Sequence, residues 1–152
     1  MIYELKNGIK NLWKWKKIIW NDRWYDSHFI FKLLKFKLEL MEKNFRKSGI
    51  HLYAEKDADK MKLCILLLDR LIKDEYTENA FRYHNEKWGE PEFSTDNNSK
   101  FIITHKNIIT EKDREQERKE FCIINDKTYG MEKQDVELLF KIMSKNVLSW
   151  WD

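Results

Sequence analysis

Arg23 stands among acids and aromatic rings in Asp22-Arg23-Trp24-Tyr25-Asp26, the densest grouping of chemically capable side chains in the sequence. A guanidinium pairs bidentately with phosphate and stacks on rings, and an indole offers a flat face to a base. The same segment also suits a tight turn between helices, with Asp26 as a cap and Arg23 paired to Asp22 or Asp69. The ring-and-cation pattern continues at Trp20, at Arg70 beside Asp69 and Asp74, and at Trp88 in a turn-rich stretch. Trp150 and Trp151 come just before Asp152. Trp20, Arg23, Trp24, Asp26, Arg70, Trp88, Trp150 and Trp151 are therefore the candidate ligand-binding residues. The seven tryptophans of this chain either build its core or stack on a flat ligand, and the sequence leaves both open.

Motifs for catalysis are missing. Neither GxxxxGK[ST] nor GxGxxG occurs, and there is no HExxH, paired CxxC or nucleophile elbow. His28, His51, His84 and His105 are widely separated. His84 with Glu86 and Glu90 lacks a diagnostic metal spacing, so neither metal nor cofactor is expected. A hydrolase would depend on acids such as Asp22, Asp26 or Asp69, and nothing in the sequence converges them.

Helices must position these residues. Over 4–20, Leu5, Ile9, Leu12, Trp13, Ile19 and Trp20 share one arc, flanked by Lys6, Lys10, Lys14 and Lys17. Core packing is expected to cover this arc, with a second surface covering Trp15 and Ile18. Residues 27–47 repeat Ile30, Leu33, Leu34, Leu38, Met41 and Phe45 at helical spacing, and Ser48-Gly49 ends that helix. A third helix is expected from about Ala54 to Tyr83, striped by Ala58, Met61, Cys64, Ile65, Leu68, Leu71, Ile72 and Tyr76. Residues 84–100 read as a long loop. Phe101–Thr110 is rich in β-branched residues and suits two short strands around His105–Asn107. Glu111–Glu120 is a solvated helical run. A last helix, about Lys133–Trp150, aligns Val136, Leu139, Phe140, Met143, Val147, Trp150 and Trp151, so its end should dock.

With 152 residues, one proline and 36% charged residues, the chain reads as a single mainly α domain over 1–152. The expected form is a compact bundle of about four to five helices with a long loop or small β-hairpin around residues 84–110. The net charge of +3 conceals an excess of twelve Lys/Arg over five Asp/Glu in residues 1–47. That basic end suits phosphate-bearing partners or a solvated face. Cys64 and Cys122 fit reduced thiols, Cys64 as a small buried hydrophobe. No apolar stretch suits a membrane span, so no membrane partner is expected.

The segments NLWKWKKIIWNDRWYD, LLKFKLELMEKNF, CILLLDRL, KWGE, EKDREQERKEF and LLFKIMSKNVLSWWD, in that order, resemble a widespread group of small tailed-bacteriophage proteins. The resemblance spans nearly the whole chain and implies a viral protein made in the host bacterial cytoplasm. No activity or site comes with it. The expectation is a non-catalytic binding protein, possible homo-oligomer included, that sequesters a nucleotide-like small molecule as a counter-defence against an immune signal. The alternative is an accessory factor binding a host or viral protein, with nucleic acid less favoured at this charge. A metal-dependent or acid/base hydrolase is the third class.

Overall fold

The computed structural model describes residues 2–20, 22, 26, 28–48, 52–95 and 99–151, with Ile2 and Trp151 in backbone only. It is 82% helical, in the order α1 (Ile2–Ile19), α2 (His28–Ser48), α3 (Ala54–Lys73), α4 (Glu75–Trp88), β1 (Pro91–Thr95), β2 (Phe101–His105) and α5 (Glu111–Asn146). A short 3-10 helix, Val147–Trp151, follows α5. The expected mainly α bundle with a small hairpin is what forms.

The chain divides into two compact units, one of residues 1–72 and 139–152, the other of Lys73–Leu138. In the first, α3 supplies most of the buried surface through Ala54, Ala58, Met61, Cys64, Leu67, Leu68 and Leu71. These recur every three or four residues and so share one side of the helix. Among the described residues, Phe29, Leu38 and Phe45 of α2, with Leu139 and Trp150, complete its buried apolar set. Polar links tie the edges: Lys35 donates to Asp69, Arg46 to Asp59 at 2.8 Å, and Lys60 to both Asp57 and Asn146 at 2.8 and 2.7 Å. Asp26 caps α2 as expected, its carboxylate accepting the His28 N–H at 3.0 Å. Lys37, within the apolar pattern of α2, is exposed.

The second unit departs from the sequence expectation in several places. The helix expected to run from Ala54 to Tyr83 breaks at Asp74, whose φ of 50° is left-handed. Aspartate tolerates that conformation, and its carboxylate accepts the Thr77 hydroxyl at 2.9 Å. Next, α4 continues to Trp88, so His84 lies on a helix and not in a loop. Finally, only one strand forms in Phe101–Thr110. Its partner is β1, inside the expected loop, in the antiparallel register Pro91↔His105, Phe93↔Ile103, Thr95↔Phe101. Proline is tolerated there because it opens the strand.

Gly89 makes the corner between α4 and the hairpin. Its φ of +83° is one that side chains rarely adopt, and an added Cβ would lie 3.1 Å from Lys106 Cβ. The Asn107 N–H donates to the Trp88 carbonyl at 2.9 Å, fastening the far end of β2 to the end of α4. At the start of α5, Thr110 and Asp113 exchange bonds, Asp113 accepting the Thr110 N–H at 2.9 Å and donating its own N–H to Thr110 Oγ1 at 3.1 Å. α5 then runs through Gly130 without interruption, joining the two separately expected helical runs.

Candidate functional site

Among the described residues two places gather chemically capable side chains, one in each unit. The first is α1. It has Glu4 in its first turn and Lys16 and Lys17 in its last, the polarity that suits the helix dipole. Trp15 meets Phe36 of α2 edge-to-face, ring centroids 4.9 Å apart at 78°, and Trp15 and Ile18 are half-buried. The broad arc of Leu5, Ile9, Leu12, Trp13, Ile19 and Trp20, expected to pack into the core, instead faces outward. Its members lie between 47% (Ile19) and 76% (Trp20) exposed. The residues off the arc make the helix contact. Periodicity identifies which side of a helix is apolar, and does not say what covers it.

Along this arc Leu5, Gly8, Ile9, Leu12 and Trp15 line a shallow apolar groove. Gly8 leaves its floor open, since an added Cβ would meet nothing within 4 Å. A turn further on, Trp13, Lys16, Lys17 and Trp20 line a second depression. Here the Lys16 ammonium lies 5.1 Å from the Trp13 ring centre and 5.6 Å from that of Trp20. The spacing 13, 16, 17, 20 places all four on one face.

The second place lies within Lys73–Leu138. On α4, Tyr76, His84 and Trp88 are buried, four or eight residues apart and so aligned on one side. Facing positions on α5 answer them. The Tyr76 hydroxyl donates to Asp135, and the Trp88 indole N–H donates to Glu120 at 2.8 Å. Lys87 also donates to Glu120 at 2.6 Å, with its ammonium 4.6 Å over the Trp88 ring. These bonds, first that from Lys87, then those from Trp88 and Gln116, pull the Glu120 carboxyl down to about 2.

Beside this row, His84 from α4, His105 from the end of β2 and Glu117 from α5 converge. The His84 side chain is 0% exposed and that of Glu117 13%; His105 is 4% exposed. His84 Nε2 lies 3.5 Å, and His105 Nδ1 3.3 Å, from Glu117 Oε1. Neither approach is aligned as a hydrogen bond: both His84 nitrogens and His105 Nδ1 have no hydrogen-bond partner. Phe81 and Phe121 stand against His84 with centroids 6.0 and 5.9 Å away.

The sequence-derived ligand candidates are dispersed over both units. Trp20 is exposed at the end of α1, Asp26 is occupied as a cap, and Arg70 is half-buried on α3. Trp88 is buried and bonded through its indole, and Trp150 is 2% exposed. Arg23 and Trp24 lie outside the described residues, as does the Trp151 side chain. Glu86 and Glu90, considered beside His84, are exposed, while the groups that do meet His84 come from residues 105 and 117. Strand register and helix pairing bring those together, so no local motif announces them. No protein family, curated protein or solved structure matches the chain.

Proposed function

We propose that the chain is a non-catalytic binding protein whose docking element is α1, and that its partner is another protein. The observation that carries this reading is the unpartnered arc from Leu5 to Trp20. Contiguous apolar patches beyond a few hundred Å² mark interaction surfaces. Two tryptophans alone, at about 150–250 Å² each, approach that size before the four aliphatic side chains are added. A nucleotide would cover only one end of such a strip. An amphipathic helix laid into a groove would bury all of it, with anchors at the i, i+4 and i+7 positions Leu5, Ile9 and Leu12. Lys6, Lys10, Lys14 and Lys17 along the flank favour a groove bordered by carboxylates. Of the acids named for a hydrolase, two serve elsewhere: Asp26 caps α2 and Asp69 accepts from Lys35. If the chain is the phage protein it resembles, a host protein engaged during infection is the natural partner.

The second reading is a nucleotide-type anion on Trp13, Lys16, Lys17 and Trp20. The observation favouring it is the double stacking of Lys16 on two exposed indoles, an arrangement able to stack a base and neutralise phosphate.

Photo-crosslinkers placed at Leu12 and at Trp20 in bacterial extract test both. The expected result is one shared protein adduct, absent from a crosslinker at Glu115, competed by a peptide of residues 2–19 and lost in Ile9→Asp. Absence of a shared adduct, or one that survives Ile9→Asp, would refute the docking reading. A nucleotide that saturably quenches tryptophan fluorescence and blocks crosslinking only at Trp20 would install the second reading.

A further inference from the structure

We infer that His84, His105 and Glu117 form a binding site for a divalent transition metal ion of the zinc class, holding α4, β2 and α5 together. Two imidazole nitrogens and a carboxylate oxygen are the donor set such ions take. One ligand atom from each of the three groups lies within 4.8 Å of the others. Bonds of about 2.0–2.1 Å arranged tetrahedrally place neighbouring ligand atoms about 3.3–3.4 Å apart. The two separations to the carboxylate, 3.5 Å from His84 Nε2 and 3.3 Å from His105 Nδ1 to Glu117 Oε1, match that edge. The two imidazole nitrogens lie within 4.8 Å of each other, so the rings close in on the ion as it binds.

A second observation points to a ligand at the same spot. The His84 side chain is fully enclosed, and both its nitrogens, with His105 Nδ1, lack hydrogen-bond partners. Phe81, Phe121 and the His105 ring surround it. Polar atoms in such a setting need a partner, because leaving them unpaired opposes folding. One cation between the three groups satisfies His84 Nε2, His105 Nδ1 and Glu117 Oε1 at once. The surrounding unit also has need of it. Among its described residues the buried set is Tyr76, His84, Trp88, His105 and Thr128, which contains no aliphatic side chain. Small units with so little apolar core are commonly held by metals or disulfides, and the two cysteines are free. Three protein ligands leave the fourth tetrahedral position to a water molecule, and because the ligands come from α4, β2 and α5 the bound ion ties those elements together.

The experiment uses the full, tag-free chain, stripped with chelator and titrated with zinc and with cobalt. The expected outcome is one ion per chain, a rise in melting temperature with zinc, and the visible absorption of tetrahedral cobalt. His105→Gln and Glu117→Gln should each weaken binding by more than the roughly hundredfold that loss of a group supporting a ligand can cost, while Cys122→Ser leaves it unchanged. A stripped wild-type chain, folded by circular dichroism, that takes up no stoichiometric ion would overturn the site. So would equal uptake by the folded Glu117→Gln variant, or loss of uptake in Cys122→Ser. Should the histidine variant fail to fold, the wild-type cobalt spectrum and the glutamate variant still decide the question.

Discussion

At the scale of single residues, burial and bonding decide which side chains are free to react. Cys64 is fully enclosed, and burial pushes its thiol up to about 11, so it behaves as an apolar filler. Cys122 is exposed and carries the accessible thiol. Glu120 shows the opposite shift: Lys87, Trp88 and Gln116 all donate to it, and its carboxyl is held at about 2. A depressed acid contributes stability that is complete above its ordinary value near 4.5 and is lost as the pH falls toward 2. With the side chain one-third exposed, solvent screening reduces that contribution to roughly 1 kcal/mol. Glu120→Gln should therefore lower stability by about that amount near neutrality. Urea unfolding of both proteins should show the gap narrowing steadily between about pH 5 and pH 2. A gap independent of pH would mean that the charge of Glu120 contributes nothing.

At the scale of elements, Gly89 governs the placement of β2. Its backbone is one that alanine adopts only with strain, and a methyl group there would press on Lys106. Gly89→Ala should cost more than about 1 kcal/mol. Thermal unfolding measures that cost, and accompanying shifts in the His105 imidazole NMR signals would locate the disturbance. Stabilisation by the alanine variant would refute this account. The helices were largely legible because residues such as Leu33, Leu38, Met61 and Leu68 repeat at helical spacing. The Asp26 cap was legible for a different reason, since a short acid next to a helical run has one favoured use. The Asp74 break was not: a single left-handed residue leaves the apolar pattern on both sides intact. β1 is not legible in sequence because Glu92, Phe93 and Ser94 are all exposed, and a strand covered on neither face has no buried alternation to read. The His84–His105–Glu117 cluster was illegible for the same kind of reason, since its members meet only after strand register and helix pairing are fixed.

At the scale of the whole molecule, apolar arcs in the sequence meet different fates. The arc of the last helical run includes Leu139 and Trp150, which are 0% and 2% exposed, whereas the arc of α1 faces outward. Both are equally plain in sequence, and only the assembled chain distinguishes the buried arc from the exposed one. Among the described residues no helix is long and apolar enough to cross a membrane. Trp150 belongs to the unit built mainly from residues 1–72. Trp150→Ala should cost about 3–5 kcal/mol, read as a lower urea midpoint. A loss below about 1 kcal/mol would show that the 3-10 helix merely rests on the surface.

That discontinuity also has a temporal side. Residues 1–72 share their compact unit with residues 139–152, yet the ribosome must make residues 73–138 in between. At about 5–20 residues per second, that interval lasts several seconds. Throughout it residues 1–72 lack Leu139 and Trp150, the remaining buried apolar members of their unit among the described residues. The intervening unit contains all its own segments and can begin to fold during the wait. Order of synthesis and order of assembly therefore differ: residues 1–72 are made before the intervening unit, and their own unit is completed only after it.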